Sequence, residues 1–404
     1  MPVLVNEIPL NGSPEPGSVL ASTAKPIVRV DGEILASSGA EPVSLRTEDA
    51  VHGLERCQLT LAGAAAEPLR WYDPLLNALA SLLRPGGGAA RRLRGPAGIG
   101  GPVAIFDRSA LDFGAELSVA FPSGDGEVVV FDGVITGLEG RFRADRAETL
   151  TVHAESRLID LAMSQSTRNF EDDSVTGIVE RIATFHSMET EVDLEDDVYR
   201  RYVAQLNQSD LDFLRQLAQF VDADIWMAGD ALHVQSRRLR DPNPIDLVLG
   251  SSLGRFDALA DLREQRTELT VGGEDVAAGN WLRVAANPGP VSGELGAGQD
   301  GASVLSEALG ERLAHLGDIT VEDEEEAQRL VQSLYARRAR RFVTGRGHAA
   351  GEPLIQAGRR VDIDGVAAMF TGLYHVTASR HVYDQAEGYR TEFEVERATL
   401  AHAD

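Results

Sequence analysis

Apolar residues in this chain alternate more often than they recur at helical spacing. Ile27-Val-Arg-Val30, Arg56-Cys-Gln-Leu-Thr-Leu61, Glu127-Val-Val-Val-Phe131 and Leu150-Thr-Val-His-Ala154 have the look of half-buried strands, and Pro102-Val-Ala-Ile-Phe106 joins them. Two stretches change period. Val175, Ile178, Val179, Ile182 and Ala183 follow Ser174, and Leu211, Leu214, Leu217, Ala218 and Val221 follow Ser209. Each predicts a helix with a serine cap, because a hydroxyl oxygen can accept from an otherwise unpaired N–H of the first turn. Ile225 to Val234 forms two short apolar runs about Gly229-Asp230, a hairpin signal. A further helix is expected to begin at Thr320. Glu322, Asp323 and Glu324 fill its first turn, and Arg337, Arg338, Arg340 and Arg341 its last, an order that complements the helix dipole. Its buried stripe is Ala327, Leu330, Val331, Leu334 and Tyr335.

Together these elements predict a mainly β chain with an α+β insertion: two tube-like β-barrel domains flanking an α+β middle domain. Residues 1–24, with Asn11-Gly-Ser-Pro-Glu-Pro-Gly-Ser18, make an extended arm. Residues 25–162 form the first barrel, interrupted at about 64–102 by an insertion. Within it, Leu69 to Leu83 is an apolar helix containing Trp71 and Pro74, and a Gly/Pro/Arg-rich stretch follows to Gly101. Residues 163–250 form the α+β domain, closed by Pro242 and Pro244, and residues 251–404 the second barrel, with the helix at about 320–342. An internal echo supports the pairing of barrels. Phe131-Asp-Gly133-Val-Ile-Thr136 matches Phe370-Thr-Gly372-Leu-Tyr-His375, and each precedes an alternating strand ending in an arginine, Arg157 or Arg397. A glycine just after an aromatic inside a strand predicts a bulge or barrel corner.

Charge and composition narrow the function. A formal net charge of −25 argues against a groove for nucleic acid, since phosphate is repelled at long range. Such a surface suits solubility first, and secondarily the wall of a channel that polyanions pass. One cysteine, Cys57, excludes an internal disulfide framework and a cysteine-based zinc cluster. No apolar run reaches the roughly 20 residues of a membrane span, and the N-terminus lacks a secretory signal pattern. The histidines form no HxxxH or HExxH pair, and His375 and His381 have no acidic or cysteine partner at ligand spacing. There is no Gly-x-Ser-x-Gly elbow, and neither Gly250–Gly254 nor Gly98–Gly101 is followed by Lys-Ser/Thr. Asp172-Asp173 and Asp196-Asp197 are contiguous carboxylates that point apart, and Trp71, Trp226 and Trp281 are expected to anchor cores. No catalytic residue, metal or cofactor is therefore assigned.

One motif carries more. Tyr202-Val-Ala-Gln205-Leu-Asn207-Gln-Ser209-Asp210-Leu-Asp212-Phe213-Leu214, a strand running into a capped helix, resembles the hub proteins of contractile phage baseplates of the late-control D type. The N-terminal half of type VI secretion spike proteins and the hubs of extracellular contractile injection systems share it. Leu150 to Leu158, Arg168-Asn-Phe170, Leu354 to Ile363 and Phe370 to Arg397 are similar to the same family in the same order. The resemblance implies structural roles for Tyr202, Gln205, Asn207, Ser209, Asp210, Phe213 and Leu214, and corner roles for Phe131, Gly133, Phe370 and Gly372. It further implies a non-enzymatic homotrimer, assembled in the bacterial cytoplasm and resident in a baseplate. That trimer would meet a hexameric inner tube protein, a separate spike protein and other baseplate components, a LysM-type collar protein among them. Two alternatives stay open: a tail-tip peptidoglycan hydrolase, which needs a catalytic constellation, and a cargo or effector adaptor working through the 69–101 segment.

Overall fold

The alternating runs become strands wherever the computed structural model describes them: residues 22–35, 42–62, 111–124, 126–143, 148–240, 243–275, 279–291, 294, 298–317 and 323–401. The arm up to residue 21 and the 64–102 insertion, with Trp71, lie outside the described residues. The first half supplies β1 (Ile27–Val30), β2 (Glu33–Ile34), β3 (Pro42–Ala50), β4 (Arg56–Ala62), β5 (Glu116–Ser123), β6 (Gly126–Arg141) and β7 (Thr149–Glu155). Their inward positions, among them Leu59, Leu61, Leu117, Val119, Phe121 and Val152, are fully buried in one core.

The middle segment alternates helix and strand. It comprises α1 (Leu158–Met163), β8 (Gln165–Ser174), α2 (Val175–Phe185), β9 (Glu189–Asp193), β10 (Tyr199–Ser209), α3 (Asp210–Phe220), β11 (Ala223–Ala228) and β12 (Ala231–Ser236). Ser174 and Ser209 cap α2 and α3 by accepting from Gly177 N at 3.1 Å and Asp212 N at 3.0 Å. The Gly229-Asp230 turn joins β11 to β12, which also pairs with β9. Val175, Ile178, Ile182, Leu211, Leu214 and Leu232 fill a core of its own.

The last part adds β13 (Pro244–Val248), β14 (Leu253–Ala260), β15 (Glu268–Asp275), β16 (Asn280–Ala286), β17 (Gln299–Asp300), α4 (Gly301–Leu309), β18 (Leu313–Leu316), α5 (Glu324–Arg340), β19 (Val343–Ala350), β20 (Arg360–Asp364), β21 (Gly372–Asp384), β22 (Gly388–Arg397) and β23 (Thr399–Leu400). Asp323 caps α5, its carboxylate accepting from Glu326 N at 2.8 Å, while Thr320, the expected start, lies outside the described residues. The helix packs on the β16–β15–β18 sheet and forms a further core with it, inserted in the chain between β14 and β19.

The two halves repeat one plan. Strands run β3–β4–β7–β6–β5–β1 in the first and β14–β19–β22–β21–β20–β13 in the second, in the same chain order. They differ at one end, where β1 is antiparallel to β5 but β13 is parallel to β20. β3 pairs with β21, so both halves belong to a single 13-stranded sheet. The fold is mainly β with α+β segments, as expected; the halves are fused where β3, the end strand of the first, pairs with Ala378–Asp384 of β21, beyond the stretch that β20 covers.

Candidate functional site

The signature motif builds a strand–helix junction. β10 pairs with β8 until Gln205 meets Arg168, and the register then slips between Gln205 and Gln208. Asn207 sits in the slip at φ +47°, a left-handed conformation that asparagine tolerates better than most residues. Its N–H donates to Thr167 Oγ1 at 3.1 Å. The slip leaves Leu206 exposed and turns Gln205 and Asp210 inward.

Asp210 is fully buried and accepts four side-chain contacts. Oδ1 takes Gln205 Nε2 at 2.7 Å and the Arg168 guanidinium; Oδ2 takes Ser164 Oγ at 2.9 Å and faces His186 Nε2 at 2.8 Å. Burial by itself would raise this carboxyl, but the bonds from Gln205, His186, Arg168 and Ser164 outweigh it and hold the group below the usual carboxylate range. Arg168 Nε also donates to Gln205 Oε1 at 2.7 Å. One carboxylate thus ties together the end of α1, β8, the end of α2 and the start of α3. Phe213 stacks on Phe170 at 5.5 Å, and Leu214 is buried beside them. Tyr202 stands apart, half exposed on β10.

Ser164, His186 and Asp210 are not arranged as a nucleophilic triad. His186 Nε2 faces both Asp210 Oδ2 and, at 3.4 Å, Ser164 Oγ, whereas a triad needs serine and carboxylate on opposite ring nitrogens. Among the described residues no group of three His, Cys, Asp or Glu could hold a metal. Cys57 is buried, and burial pushes its thiol well up, so it is a poor nucleophile. Trp226 is half-buried, with the Arg240 guanidinium 3.6 Å above its ring. Trp281 corrects the sequence reading: it is 83% exposed. Leu282, Val284 and Ala286 take the inward positions of β16, which leaves Trp281 on the opposite face.

The two corners use glycine for different reasons. At Gly133 a Cβ would lie 2.2 Å from Glu155 O, so glycine permits close approach of β7. Gly372 has φ +118°, outside the range of L side chains. Phe131 is buried in the first core, while Phe370 is half-buried and its carbonyl accepts from Tyr374 Oη at 2.7 Å. Beyond each glycine the strand changes partner, β6 from β5 to β7 at Val134, and β21 from β20 to β22 at His375. Each then bulges, between Ile135 and Gly137 and between Val376 and Ala378.

The face of the sheet opposite the cores carries a charged belt. Arg255, His348, Glu392, Arg380, Glu48, Arg56 and Glu155 stand directly across from one another on β14, β19, β22, β21, β3, β4 and β7. Arg380 bridges the seam between halves, reaching Glu48 at 3.0 Å and Glu392 at 2.9 Å. Arg56 meets Glu155 at 3.4 Å, and a depression of about 300 Å³ opens beside them, lined also by Arg46, Gln58 and His153. Such a face is polar but internally neutralised.

Comparison with solved structures places this fold among phage tail proteins. A 43 kDa tail protein of prophage MuSo2 from Shewanella oneidensis aligns with a TM-score of 0.62 at 11% identity, covering 93% of this chain and 99% of that one. A tail protein from Neisseria meningitidis MC58 gives 0.62 at 12% identity, over 93% and 97%. A type VI secretion component from E. coli, itself described as similar to T4 tail proteins, gives 0.53 at 11%, over 93% and 77%. Sequence comparison with curated proteins gives no match. The family model described as the Alg8 N-terminal domain matches residues 102–385, well over half of the chain, and the protein belongs to that family.

Proposed function

We propose that this protein is a structural hub of a contractile phage tail or phage-like injection particle, acting as a homotrimer that joins a hexameric inner tube to a trimeric spike. The observation that carries the reading is the repeated strand order of the two halves, fused through β3 and β21. Three such chains would present a pseudo-sixfold ring built with threefold symmetry, the geometry a tube-to-spike adaptor needs. The phage-tail fold supports the same reading.

Two open strand edges of the fused sheet favour assembly. Among the described residues, the outer edges of β14 beyond Leu253 and of β6 beyond Gly137 have no strand partner. Unpaired edges invite a further strand, and joining β6 of one copy to β14 of the next would close a ring. The belt would then face the central passage. Its paired charges leave no excess of either sign to hold a polyanion or polycation in transit, and the middle domain would face outward toward a collar or other baseplate partners.

Imaging of the parent particle at side-chain resolution tests this. Three copies between tube and spike are expected; another copy number, or a position away from that junction, would reject it.

A further inference from the structure

The middle domain is one continuous segment, entered at Arg157 and left at Arg240, with its own core. Among the described residues, Leu54 and Leu330 are the apolar side chains from outside that reach this core. The ionic and hydrogen-bonded contacts of its attachment are largely buried. Arg237 meets Glu396 of β22 at 2.6 Å. Arg240 Nη2 donates to Ala357 O at 3.0 Å, and Ala357 N donates to Asp49 Oδ2 at 2.9 Å, so the backbone of one residue links the middle domain to both halves of the sheet. On the other side, Arg340 of α5 is fully buried and forks onto both oxygens of Asp222, each at 2.6 Å, while also holding Glu294. Arg200 reaches Glu326 at 2.5 Å.

A desolvated ionic joint has two good states: closed with every charge paired, or open with every charge hydrated. Intermediate states strand a buried charge. We propose that the middle domain is a clasped module, released from the sheet as a rigid body with its core intact when this ionic joint opens.

Hydrogen exchange read by mass spectrometry on the full chain tests it, with Arg237→Glu placing like charges against Glu396. Peptides covering 237–240 and 355–359 are expected to lose protection about tenfold or more, while α2 and β5 keep theirs. The double swap Arg237→Glu with Glu396→Arg is expected to restore the joint. Loss of α2 protection in step with the joint, an unchanged joint in Arg237→Glu, or no rescue by the swap would overturn the proposal. Should Arg237→Glu not fold, a urea titration of the natural chain decides: release of the joint peptides before α2 and β5 supports it, and coincident release overturns it.

Discussion

Phe121 and Tyr389 lie face to face, their ring centroids 3.6 Å apart and their planes 5° from parallel. Phe121 belongs to β5 of the first half and Tyr389 to β22 of the second, yet both are buried in the first core. Tyr389 Oη lies 2.8 Å from His381 Nδ1, so its polar end is also satisfied inside the protein. The seam is therefore apolar on the core face and ionic at Arg380 on the other. A core shared in this way is expected to make the two halves unfold as one cooperative unit.

Truncating the stacked ring should show this. Tyr389→Ala is expected to cost about 3–5 kcal/mol, as for other large buried aromatics. Urea unfolding followed by peptide-resolved hydrogen exchange should find β5 and β22 released together; independent release would contradict a fused core.

His381 gives a pH signature. Burial lowers it from an ordinary value of 6.5 to about 3, with a backbone contact at Ile355 opposing weakly. Between those values the unfolded chain binds the proton and the folded chain does not, so this contribution is complete above about pH 6.5 and shrinks as pH falls. At about pH 5 the loss is roughly 2 kcal/mol. Buried carboxyls with raised values, such as Asp49, act in the opposite sense, so the comparison must be differential. The stability difference between neutral and mildly acidic buffer should shrink by about that amount in His381→Gln, measured by urea melts.

The Asp210 junction separates charge from shape. Asp210→Ala leaves Arg168 without its carboxylate and should cost about 3–5 kcal/mol. Asp210→Asn keeps the volume but turns one acceptor into a donor, and should cost about 1–3 kcal/mol. Equal losses in the two variants would mean that packing, not the hydrogen-bond set, holds the junction.

Much of this was legible locally. Ser174 and Ser209 cap the helices they precede, because a cap and its apolar stripe lie within a few residues of each other. Gly133 and Gly372, each two residues after a phenylalanine, fall where β6 and β21 change partner and then bulge. The pairing of β3 with β21 was not legible, since strand partners more than 300 residues apart leave no trace in local periodicity. Nor was the core beneath α5, whose short strands resembled more barrel. Trp281 misled because a large aromatic at an alternating position fits either face, and only Leu282, Val284 and Ala286 decide which. Arg340 was legible only as a charge complementing the helix dipole, whereas Asp222 and Glu294 close over it.

The corner glycines make contrasting probes. Gly133→Ala should lower stability by about 1–3 kcal/mol through collision with the β7 backbone. Gly372→Ala should lose a similar amount, about 1–3 kcal/mol, through backbone strain rather than crowding. Gly126→Ala, with open space around it, serves as the neutral control in the same thermal melts.

The most direct test is the mass of the purified protein in solution by native mass spectrometry. A species three times the single-chain mass is predicted, collapsing to single chains when a proline is placed on the outer edge of β14, for instance Ala258→Pro. A natural chain that remains single at every concentration, and single in its particle, would contradict the trimeric ring.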